Sequence, residues 1–338
     1  MTHPQVVILG AGLSGLVAAR QLSKAGIACV IYEKSRGVGG RMATRRAECQ
    51  GATLRFDHGA GSLTRAQAAS LAELIAPTSP APLHGDQSFQ HFCQAADLTP
   101  WPLSHPQQSP SLISASGINS VGKALAAGLD INLNVTVGRA HRDPSRKQWQ
   151  AGTQNAELPG LFDLLITTIP PRQAAQVLDP YQGPIMPLLT SMQPRACWTL
   201  MLGTEKPIDE QALGRHGEII DRVIAEHSKG RENPNGLSTY TIQAGREWSQ
   251  QHAQIPAKDA AQTMLRELIN LGWDGSGIVH QQIHRWLYAG VANPVDEPCL
   301  IDSDNGLICA GDWCLGNDID SALSSGRAAA HEAMELLG

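Results

Sequence analysis

The sequence Gly10-Ala11-Gly12-Leu13-Ser14-Gly15 constrains the fold more than any other feature of this chain. It follows the β-branched run Val6–Leu9 and precedes an amphipathic helical pattern over 13–26. In a turn of this kind the first glycine allows the tight bend, the second lets the backbone approach a pyrophosphate, and the third lets the helix pack on the strand. A second strand over 28–32 would complete a βαβ unit. The chain is therefore predicted to open with a Rossmann-like, dinucleotide-binding α/β fold.

A carboxylate and a second glycine-rich run identify the dinucleotide. Glu33 ends the second predicted strand, where an acid binds ribose hydroxyls and would repel a 2′-phosphate. This indicates FAD or NAD(H) rather than NADP(H). Gly37-Val38-Gly39-Gly40-Arg41-Met42 then supplies backbone amides and a guanidinium for the far side of a pyrophosphate. FAD, held non-covalently, is the predicted cofactor.

Composition narrows the class of protein further. The 338 residues are 42% hydrophobic, enough for the core of one large or two interlocked α/β domains. Lys and Arg total 26 against 31 Asp and Glu, without dense basic runs, so nucleic acid is not an expected partner. No apolar run approaches the roughly 20 residues of a membrane span. Because the first strand begins at about Gln5, we expect no leader peptide and a cytoplasmic protein.

The cysteines are scattered singly, without a C-x-x-C pair, and their number is odd. They are Cys29, Cys49, Cys93, Cys197, Cys299, Cys309 and Cys314. This pattern predicts reduced thiols rather than a disulfide framework or a zinc site, and we expect no metal. Cys309 and Cys314 flank a C-terminal segment expected to contact the flavin, which leaves a covalent flavin link or a redox role open.

The remaining predicted elements alternate between two units. Residues 76–110, rich in Pro, Ser, Gln and His, predict loops and short helices. The nucleotide fold would continue with a helix over 117–128, a strand over 130–140, short strands at Trp149 and Leu158, strands over 162–169 and 307–310, and a helix over 321–337. Strands over 197–202, 238–243 and 277–284 and a helix over 257–271 would form a substrate unit. We predict an FAD-binding domain of residues 1–75, 110–172 and 295–338, interlocked with a smaller α+β substrate domain of residues 76–109 and 173–294.

Several motifs resemble known flavoproteins. Glu33 with Gly39-Gly40-Arg41-Met42, followed by Asp57-His58-Gly59-Ala60, resembles the flavin-containing amine oxidase superfamily. His284–Ala289, and Cys309–Leu315 leading into Ala322 and Ser325-Gly326, resemble bacterial renalases. The similarity is dense over 5–62 and 284–337 and thin elsewhere. It implies a two-part FAD site of the glutathione-reductase type.

The resemblance also implies which residues meet the flavin. Ser14, Arg41, Gly61 and Ser62 occupy positions at which renalases contact FAD, Val137 lies on the strand that passes the adenine, and Asp312 is placed for the ribityl chain or pyrophosphate. Amides at the start of the last helix, near Ile319 and Asp320, would face the pyrimidine edge and stabilise negative charge on the reduced flavin. The expected cofactor contacts are Gly10, Gly12, Leu13, Ser14, Gly15, Glu33, Lys34, Gly39, Gly40, Arg41, Met42, Gly61, Ser62, Val137, Gly311, Asp312 and Ile319.

The chemistry implied by the resemblance is a hydride transfer. Renalase-like enzymes oxidise the 2- and 6-dihydro isomers of NAD(P)H to NAD(P)+ at flavin N5, and O2 is reduced to H2O2. Positioning then matters more than an acid or base. Trp286, Tyr288 and Trp313 are candidate pocket walls, with core packing as the alternative interpretation. His284 and His58 are candidate polar contacts, with an ordinary structural role as the alternative.

One departure keeps other functions open. Renalases commonly carry a polar residue and then aromatics where this chain has Gly61-Ser62-Leu63-Thr64, which predicts a more open flavin face. The alternatives are an amine or amino-acid oxidase and a flavin-binding protein without oxidase activity. Many amine oxidases use a lysine near flavin N5, and no lysine falls in the matched pocket segments. A separate NADPH domain is not predicted, because Gly272–Gly277 lacks a preceding strand and a following helix.

Overall fold

The computed structural model describes residues 5–75, 86–101, 111–209, 217–231 and 234–338. The strands are β1 (Val6–Leu9), β2 (Cys29–Glu33), β3 (Thr44–Cys49), β4 (Ala52–Asp57), β5 (Leu63–Thr64), β6 (Leu98–Pro100), β7 (Ser111–Ser114), β8 (Asp130–Leu133), β9 (Arg139–Asp143), β10 (Gln148–Gly152), β11 (Leu164–Thr167), β12 (Pro194–Thr204), β13 (Ile220–Ala225), β14 (Ser238–Ala244), β15 (Ile278–Val291), β16 (Leu300–Asp302) and β17 (Leu307–Cys309). The α-helices are α1 (Leu13–Lys24), α2 (Arg65–Ile75), α3 (Asp86–Ala95), α4 (Asn119–Ala126), α5 (Pro171–Val177), α6 (Met186–Ser191), α7 (Arg246–Gln251), α8 (Ala257–Asn270) and α9 (Ile319–Leu337). The predicted opening βαβ unit is confirmed.

The main sheet has six strands in the order β16-β17-β11-β1-β2-β8. All neighbours pair in parallel except β16, which pairs antiparallel with β17 at one edge. Val6 and Ile8 of β1 enter one apolar core, here the first core, and Val7 and Leu9 enter a second core on the other side. All four side chains are at most 2% exposed, as in a parallel sheet covered on both faces. The predicted Rossmann-like α/β fold is confirmed.

The first and last helices of the described chain pack together on one face of this sheet. Gly326 of α9 approaches α1 so closely that a Cβ there would lie 2.5 Å from the Ser14 carbonyl oxygen. Helix α4 packs in the same first core, while α5 and α6 contribute Ala174 and Leu189 to the second core. Because α9 lies on α1, the C-terminal segment comes close to the glycine turn that precedes α1.

A four-stranded antiparallel sheet, in the order β13-β14-β12-β15, forms the second large unit and is called the second sheet below. Alternate side chains of β12 and β14, including Trp198, Leu200 and Ile242, pack with Met264 and Leu268 of α8 in a third core. This amphipathic arrangement follows from the two-residue period of a strand. Helix α8 therefore packs on the apolar side of the second sheet.

The other face of the second sheet is more polar and contacts the nucleotide-binding unit. Thr199 lies on this face between two core residues of β12, and it is 0% exposed. The indole Nε1 of Trp286 donates a hydrogen bond to the His58 carbonyl over 2.8 Å, and Gln243 Nε2 donates to the Gly59 carbonyl over 3.1 Å. The segment that follows β4 is thus held against the polar face.

The predicted strand over 130–140 is wrong in its middle part. Strand β8 ends at Leu133, and Asn134 takes a φ of 59°. Asparagine tolerates this left-handed conformation, which breaks the extended run. Val135 and Val137 lie in the link before β9 and pack at the margin of the second core. Val137, an expected adenine contact, is therefore not on a strand.

Other boundaries differ from those predicted. Strand β15 continues to Val291 instead of ending at His284, helix α9 begins at Ile319 rather than Ser321, and Leu158 lies outside any strand. Hydrogen-bonded pairing with β12 continues along β15 past the predicted end, which explains the longer strand. No helix among the described residues is both long and apolar enough to cross a bilayer.

The proposed division into two domains concerns residues that are only partly described. Positions 76–85 and 102–110, which include two of the proposed boundaries, lie outside the described ranges. Of the intervening residues, Phe92 and Leu98 pack in the first core. The domain division therefore stays a proposal.

Candidate dinucleotide and substrate site

The three glycines of the first turn have three different environments. Gly10 has a φ of 100°, and its N–H donates to the Tyr32 carbonyl over 2.9 Å. A Cβ on Gly15 would lie 2.1 Å from the Gly10 carbonyl oxygen, so the helix approaches the turn more closely than any side chain allows. A Cβ on Gly12 would have no atom within 4 Å. Gly12 therefore leaves an open cradle at the start of α1.

The cradle at Gly12 is lined by backbone donors. Helix α1 begins directly after Gly12 and has no side-chain cap, so its first N–H groups and the positive end of its dipole favour an anion. The second glycine run packs against the same turn, since Gly39 N donates to the Ala11 carbonyl over 2.8 Å. A Cβ on Gly40 would lie 3.1 Å from the Gly12 Cα. Both predicted glycine runs thus meet at one point.

Glu33 lies beside this cradle and is almost buried, with 8% exposure. Its Oε2 accepts from Ala11 N over 2.8 Å, and its Oε1 accepts from Ser35 N over 2.7 Å. Because each carboxylate oxygen accepts more than one hydrogen bond, capacity remains for ribose hydroxyls. Its neighbour Lys34 is exposed, and its Nζ donates to Gln173 Oε1 over 3.3 Å.

Three expected cofactor contacts turn their side chains away from the cradle. Leu13 and Met42 belong to the first core, with 7% and 3% exposure. The hydroxyl of Ser14 donates to the Ala322 carbonyl on α9 over 2.9 Å. These three residues can therefore contact a ligand at the cradle through their backbone groups.

Arg41 and Asp312 bind each other. Arg41 Nη2 donates to Asp312 Oδ1, and Arg41 Nη1 donates to the Ala289 carbonyl over 2.7 Å. The Asp312 side chain is 6% exposed, whereas that of Arg41 is 39% exposed. The pair links the N-terminal and C-terminal parts of the chain, and the Arg41 guanidinium is the more exposed of its two groups.

Hydrogen bonds within the C-terminal segment fix its local shape. Gly311 N donates to Ser325 Oγ over 2.8 Å, and a Cβ on Gly311 would lie 2.3 Å from Trp313 Nε1. Helix α9 begins at Ile319, and the Asp318 carboxylate caps it by accepting from Ser321 N over 2.8 Å. The amide of Ser321, next to the flavin contacts expected near Ile319 and Asp320, is therefore already bonded.

Three candidate site residues, His58, His284 and Trp286, form a group of rings at the polar face of the second sheet, called the ring cluster below. His58 stacks on Trp286 with ring centroids 5.0 Å apart. His284 meets both rings edge-on, 5.1 Å from His58 and 4.5 Å from Trp286. Residues distant in sequence by more than two hundred positions are thus brought together.

Both imidazoles of the ring cluster favour the neutral form. Burial lowers the pKa of His58 to about 4, and the neighbouring His284 and Arg45 add to this effect. Burial and Arg45 also lower the pKa of His284 below its usual value. His58 is 5% exposed and its Nδ1 has no hydrogen-bond partner among the described residues. This part of the site is uncharged near neutral pH.

The other two aromatic candidates differ from each other. Tyr288 lies two residues beyond Trp286 on β15 and is half-buried. Trp313 is 3% exposed and belongs to the second core. Core packing, the alternative interpretation, therefore describes the position of Trp313.

Four buried charged side chains, called the ion quartet below, lie beside the ring cluster: Asp57, Glu226, Lys229 and Arg231. Lys229 Nζ is 2.9 Å from Asp57 Oδ2 and 3.0 Å from Glu226 Oε2, and Arg231 pairs with the same two oxygens. Their side chains are at most 3% exposed. Each cation therefore contacts both acidic side chains, and burial raises the pKa of Glu226 above its usual value.

Further hydrogen bonds satisfy the carboxylates of the ion quartet. Asp57 Oδ1 accepts from Thr44 Oγ1 over 2.7 Å and from Ile118 N over 3.1 Å. Burial raises the pKa of Asp57, but Lys229 and Arg231 outweigh burial and hold it below its usual value. Of the quartet only Asp57 lies in a motif that the sequence singled out. The other three lie in a stretch without a chemical pattern, which is why sequence reasoning missed them.

All seven cysteines are free thiols. Cys309 and Cys314 are buried in the second core. Burial raises the pKa of Cys314 to about 12 and that of Cys309 well above its usual value. Because the thiolate is the reactive form, these two residues are poorly suited to a covalent flavin link. No cluster of His, Cys, Asp or Glu among the described residues is arranged to hold a metal.

The fold and the glycine cradle define a class: a Rossmann-like nucleotide-binding unit joined to an antiparallel sheet. Residues 8–75 match the family of NAD(P)-binding Rossmann-like domains. A stretch of 62 residues, 18% of this chain, is 42% identical to lysine-specific histone demethylase 1 homolog 3 of Oryza sativa subsp. indica, and equally to that of subsp. japonica. This stretch spans only 8% of those relatives.

Solved structures resemble the described fold over nearly their whole length. A candidate protoporphyrinogen oxidase from Exiguobacterium sp. 255-15 has a TM-score of 0.70 at 16% identity, covering 100% of both chains. Cyclohexylamine oxidase from Brevibacterium oxydans IH-35A has a TM-score of 0.67 at 13% identity, covering 99% of this chain and 100% of its own. An oxidoreductase from Methanosarcina mazei has a TM-score of 0.65 at 15% identity, covering 98% and 99%. At these identities the likeness shows the fold.

Proposed function

We propose that this chain is an FAD-dependent oxidoreductase that holds its cofactor non-covalently at the glycine turn. The open side of Gly12 carries this proposal, because a side chain would fill the space that a pyrophosphate needs. Glu33 beside it supports a ribose, and the partly exposed Arg41 supports a second phosphate contact. The structural neighbours include a cyclohexylamine oxidase and an oxidoreductase, which agrees with this class of reaction.

The proposed reaction is oxidation of the 2- or 6-dihydro isomers of NAD(P)H to NAD(P)+. FAD held at the glycine turn would supply a two-electron acceptor for the hydride, and O2 would take up the two electrons and, with one further proton from solvent, leave as H2O2. The chain's own residues position the donor, with Trp286 and Tyr288 as stacking surfaces on the polar face of the second sheet. Since the product ring is a cation, the neutral imidazoles of His58 and His284 avoid a repulsion that charged ones would cause.

Anaerobic stopped-flow reduction of the bound flavin tests this reaction. We expect rapid bleaching by a 2- or 6-dihydro isomer and slow bleaching by ordinary NADH. Photochemical reduction followed by mixing with oxygen is the control, because it shows that the flavin is redox-active whatever the donor. Failure of every isomer to bleach a flavin that passes this control would overturn the proposed substrate.

Oxidation of an amine or amino acid is the second candidate, because Lys229 lies close to a segment that is expected to contact the flavin. No lysine lies in the matched pocket segments, but a Cβ on Gly61 would lie 3.1 Å from Lys229 Nζ. The argument against an amine oxidase from missing lysines is therefore weaker than the sequence indicated. Peroxide release from a panel of amines would favour this candidate over the first.

Glu33→Arg tests the cofactor site itself. We expect the variant to lose FAD affinity about 100-fold, because a buried carboxylate that accepts hydrogen bonds is replaced by a cation. Glu335→Arg on the exposed end of α9 makes the same charge change and serves as the matched control. Equilibrium dialysis of apoprotein with FAD gives both affinities. Equal flavin retention in the two variants would remove Glu33 from the site.

A further inference from the structure

The ammonium of Lys229 lies directly behind Gly61. A Cβ on Gly61 would be 3.1 Å from Lys229 Nζ, closer than most side chains come, and 3.7 Å from Ile224 Cδ1. Lys229 cannot easily move aside, because it is 0% exposed and its Nζ binds Asp57 and Glu226. Gly61, which departs from the renalase pattern, therefore lies next to the Lys229 ammonium, whose position is fixed by two ion pairs.

The segment that contains Gly61 is held from both sides. On the nucleotide-binding side, His58 N donates to the Ala43 carbonyl over 3.2 Å and Ala60 N donates to the Arg41 carbonyl over 3.0 Å. A Cβ on Gly59 would lie only 1.9 Å from the Arg41 carbonyl oxygen, so the two strands of chain are in close contact.

On the other side, the same segment is bonded to the second sheet and the residues after β13. Asp57 N donates to Glu226 Oε1 over 3.2 Å. The His58 and Gly59 carbonyls accept from Trp286 and Gln243, as described above. Segment 57–62 is therefore bonded to the second sheet, and the His58 carbonyl bonds it to the ring cluster.

We propose that Lys229 is a positioning residue: from its buried place between Asp57 and Glu226 it sets the position of Gly61, and thereby of the wall that segment 57–62 presents to the flavin and its electron donor. The inference rests on the proposed function, since it takes Gly61 and Ser62 to be flavin contacts. Lys229 acts through Gly61 and is not assigned a contact with the substrate.

A double-mutant cycle of Gly61→Ala and Lys229→Met, both as FAD-bound protein, tests this role. In Gly61→Ala the new methyl group meets a cation that cannot yield, so the segment shifts by a few tenths of an ångström. We expect the rate constant of flavin reduction to fall roughly tenfold, while the half-saturating donor concentration changes little. In Lys229→Met the obstacle is gone, and the added methyl group should cause little further loss.

The matched control is Gly245→Ala, whose Cβ would be in ordinary contact at 3.6 Å from the Ile219 carbonyl oxygen. This variant should behave as wild type. If Lys229→Met does not fold, the comparison of Gly61→Ala with Gly245→Ala decides. Equal rate constants in these two variants, or strictly additive losses in the cycle, would overturn the positioning role.

The reduction potential and visible spectrum of the bound flavin provide a readout that needs no nicotinamide donor. Non-additive shifts in these properties, with no donor active on wild type, would retain the role of Lys229 and reject the proposed substrate. Additive shifts together with an active donor would retain the substrate and reject the role of Lys229. A wild-type protein that binds no FAD would reject both.

Discussion

The glycine cradle and the ion quartet are both rigid, but they are rigid for different physical reasons. The cradle is made of backbone: Gly10, Gly12 and Gly15 lie within six residues, and the absence of side chains creates its shape. The ion quartet is made of side chains, and Lys229 lies 172 positions from Asp57. Its side chains are accommodated in the interior because each of the two cations pairs with both carboxyl groups. Local geometry builds the first region, and long-range charge pairing builds the second.

Removing one charge from the ion quartet should have the largest effect. Asp57→Asn keeps the shape of the side chain but leaves Lys229 and Arg231 with one carboxylate between them. We expect a loss of about 3–5 kcal/mol in the free energy of unfolding, because a buried charge becomes unpaired. Urea unfolding measures this loss.

An exposed ion pair provides the control for that prediction. Arg139 and Glu157 are 44% and 43% exposed, and Glu157→Gln should cost about 0–1 kcal/mol. A similar small loss in Asp57→Asn would mean that the charges of the ion quartet are not buried and paired as the structure shows.

The contrast also explains how much of the molecule the sequence predicts. The βαβ unit follows from spacing within about thirty residues, and the structure confirms it. The ligand-binding roles of the three glycines and of Glu33 stay predictions. The polar face of the second sheet was not predictable, because alternation along β12 and β15 does not indicate what faces it. The ion quartet was not predictable either, because Glu226, Lys229 and Arg231 lie in a stretch without a chemical pattern.

Individual errors have local causes. The strand expected over 130–140 breaks because Asn134 adopts a left-handed conformation, which one asparagine in an alternating run does not reveal. Trp313 was a candidate pocket wall because it lies in a matched segment, but its ring lies in the second core. Sequence position does not indicate which core a side chain enters, and packing decides this for Trp313.

Titration of His58 should have the next largest effect on stability. Its pKa in the fold is about 4, below the value of about 6.5 in an unfolded chain. As the pH falls from 6.5 to 4, His58 therefore binds a proton in the unfolded chain but not in the folded chain. Wild type should lose about 3 kcal/mol across this window through His58.

The His58→Gln variant isolates that contribution. Its free energy of unfolding should depend less on pH between 4 and 6.5 than that of wild type, and above 6.5 the two pH profiles should run parallel. His91→Gln, which changes an exposed histidine on α3, is the control and should keep the wild-type slope. Identical slopes for all three proteins would show that His58 is not buried as described.

Gly12 and Gly15 should respond differently to substitution by alanine. Gly15→Ala places a methyl group against backbone that cannot yield, so we expect a loss of about 1–3 kcal/mol in stability. Gly12→Ala has open space and a φ of −72°, so the apoprotein should lose less than about 1 kcal/mol. FAD affinity should fall in Gly12→Ala even so.

Thermal unfolding of the apoproteins and FAD titration separate these two effects. If Gly12→Ala binds FAD as tightly as wild type, the open side of Gly12 is not where the pyrophosphate lies. If Gly15→Ala is as stable as wild type, helix α1 can withdraw from the turn, and the cradle is less rigid than its backbone contacts imply.

The flavin content of the purified protein tests the central claim most directly. The protein is purified with its cofactor, denatured, and separated into precipitate and supernatant, and the flavin in each fraction is identified and quantified. The proposed function predicts about one FAD for each chain, all of it in the supernatant, because Cys309 and Cys314 are buried and poorly suited to a covalent link. Flavin that stays with the precipitate, or a chain that takes up NAD(H) and no FAD, would contradict it.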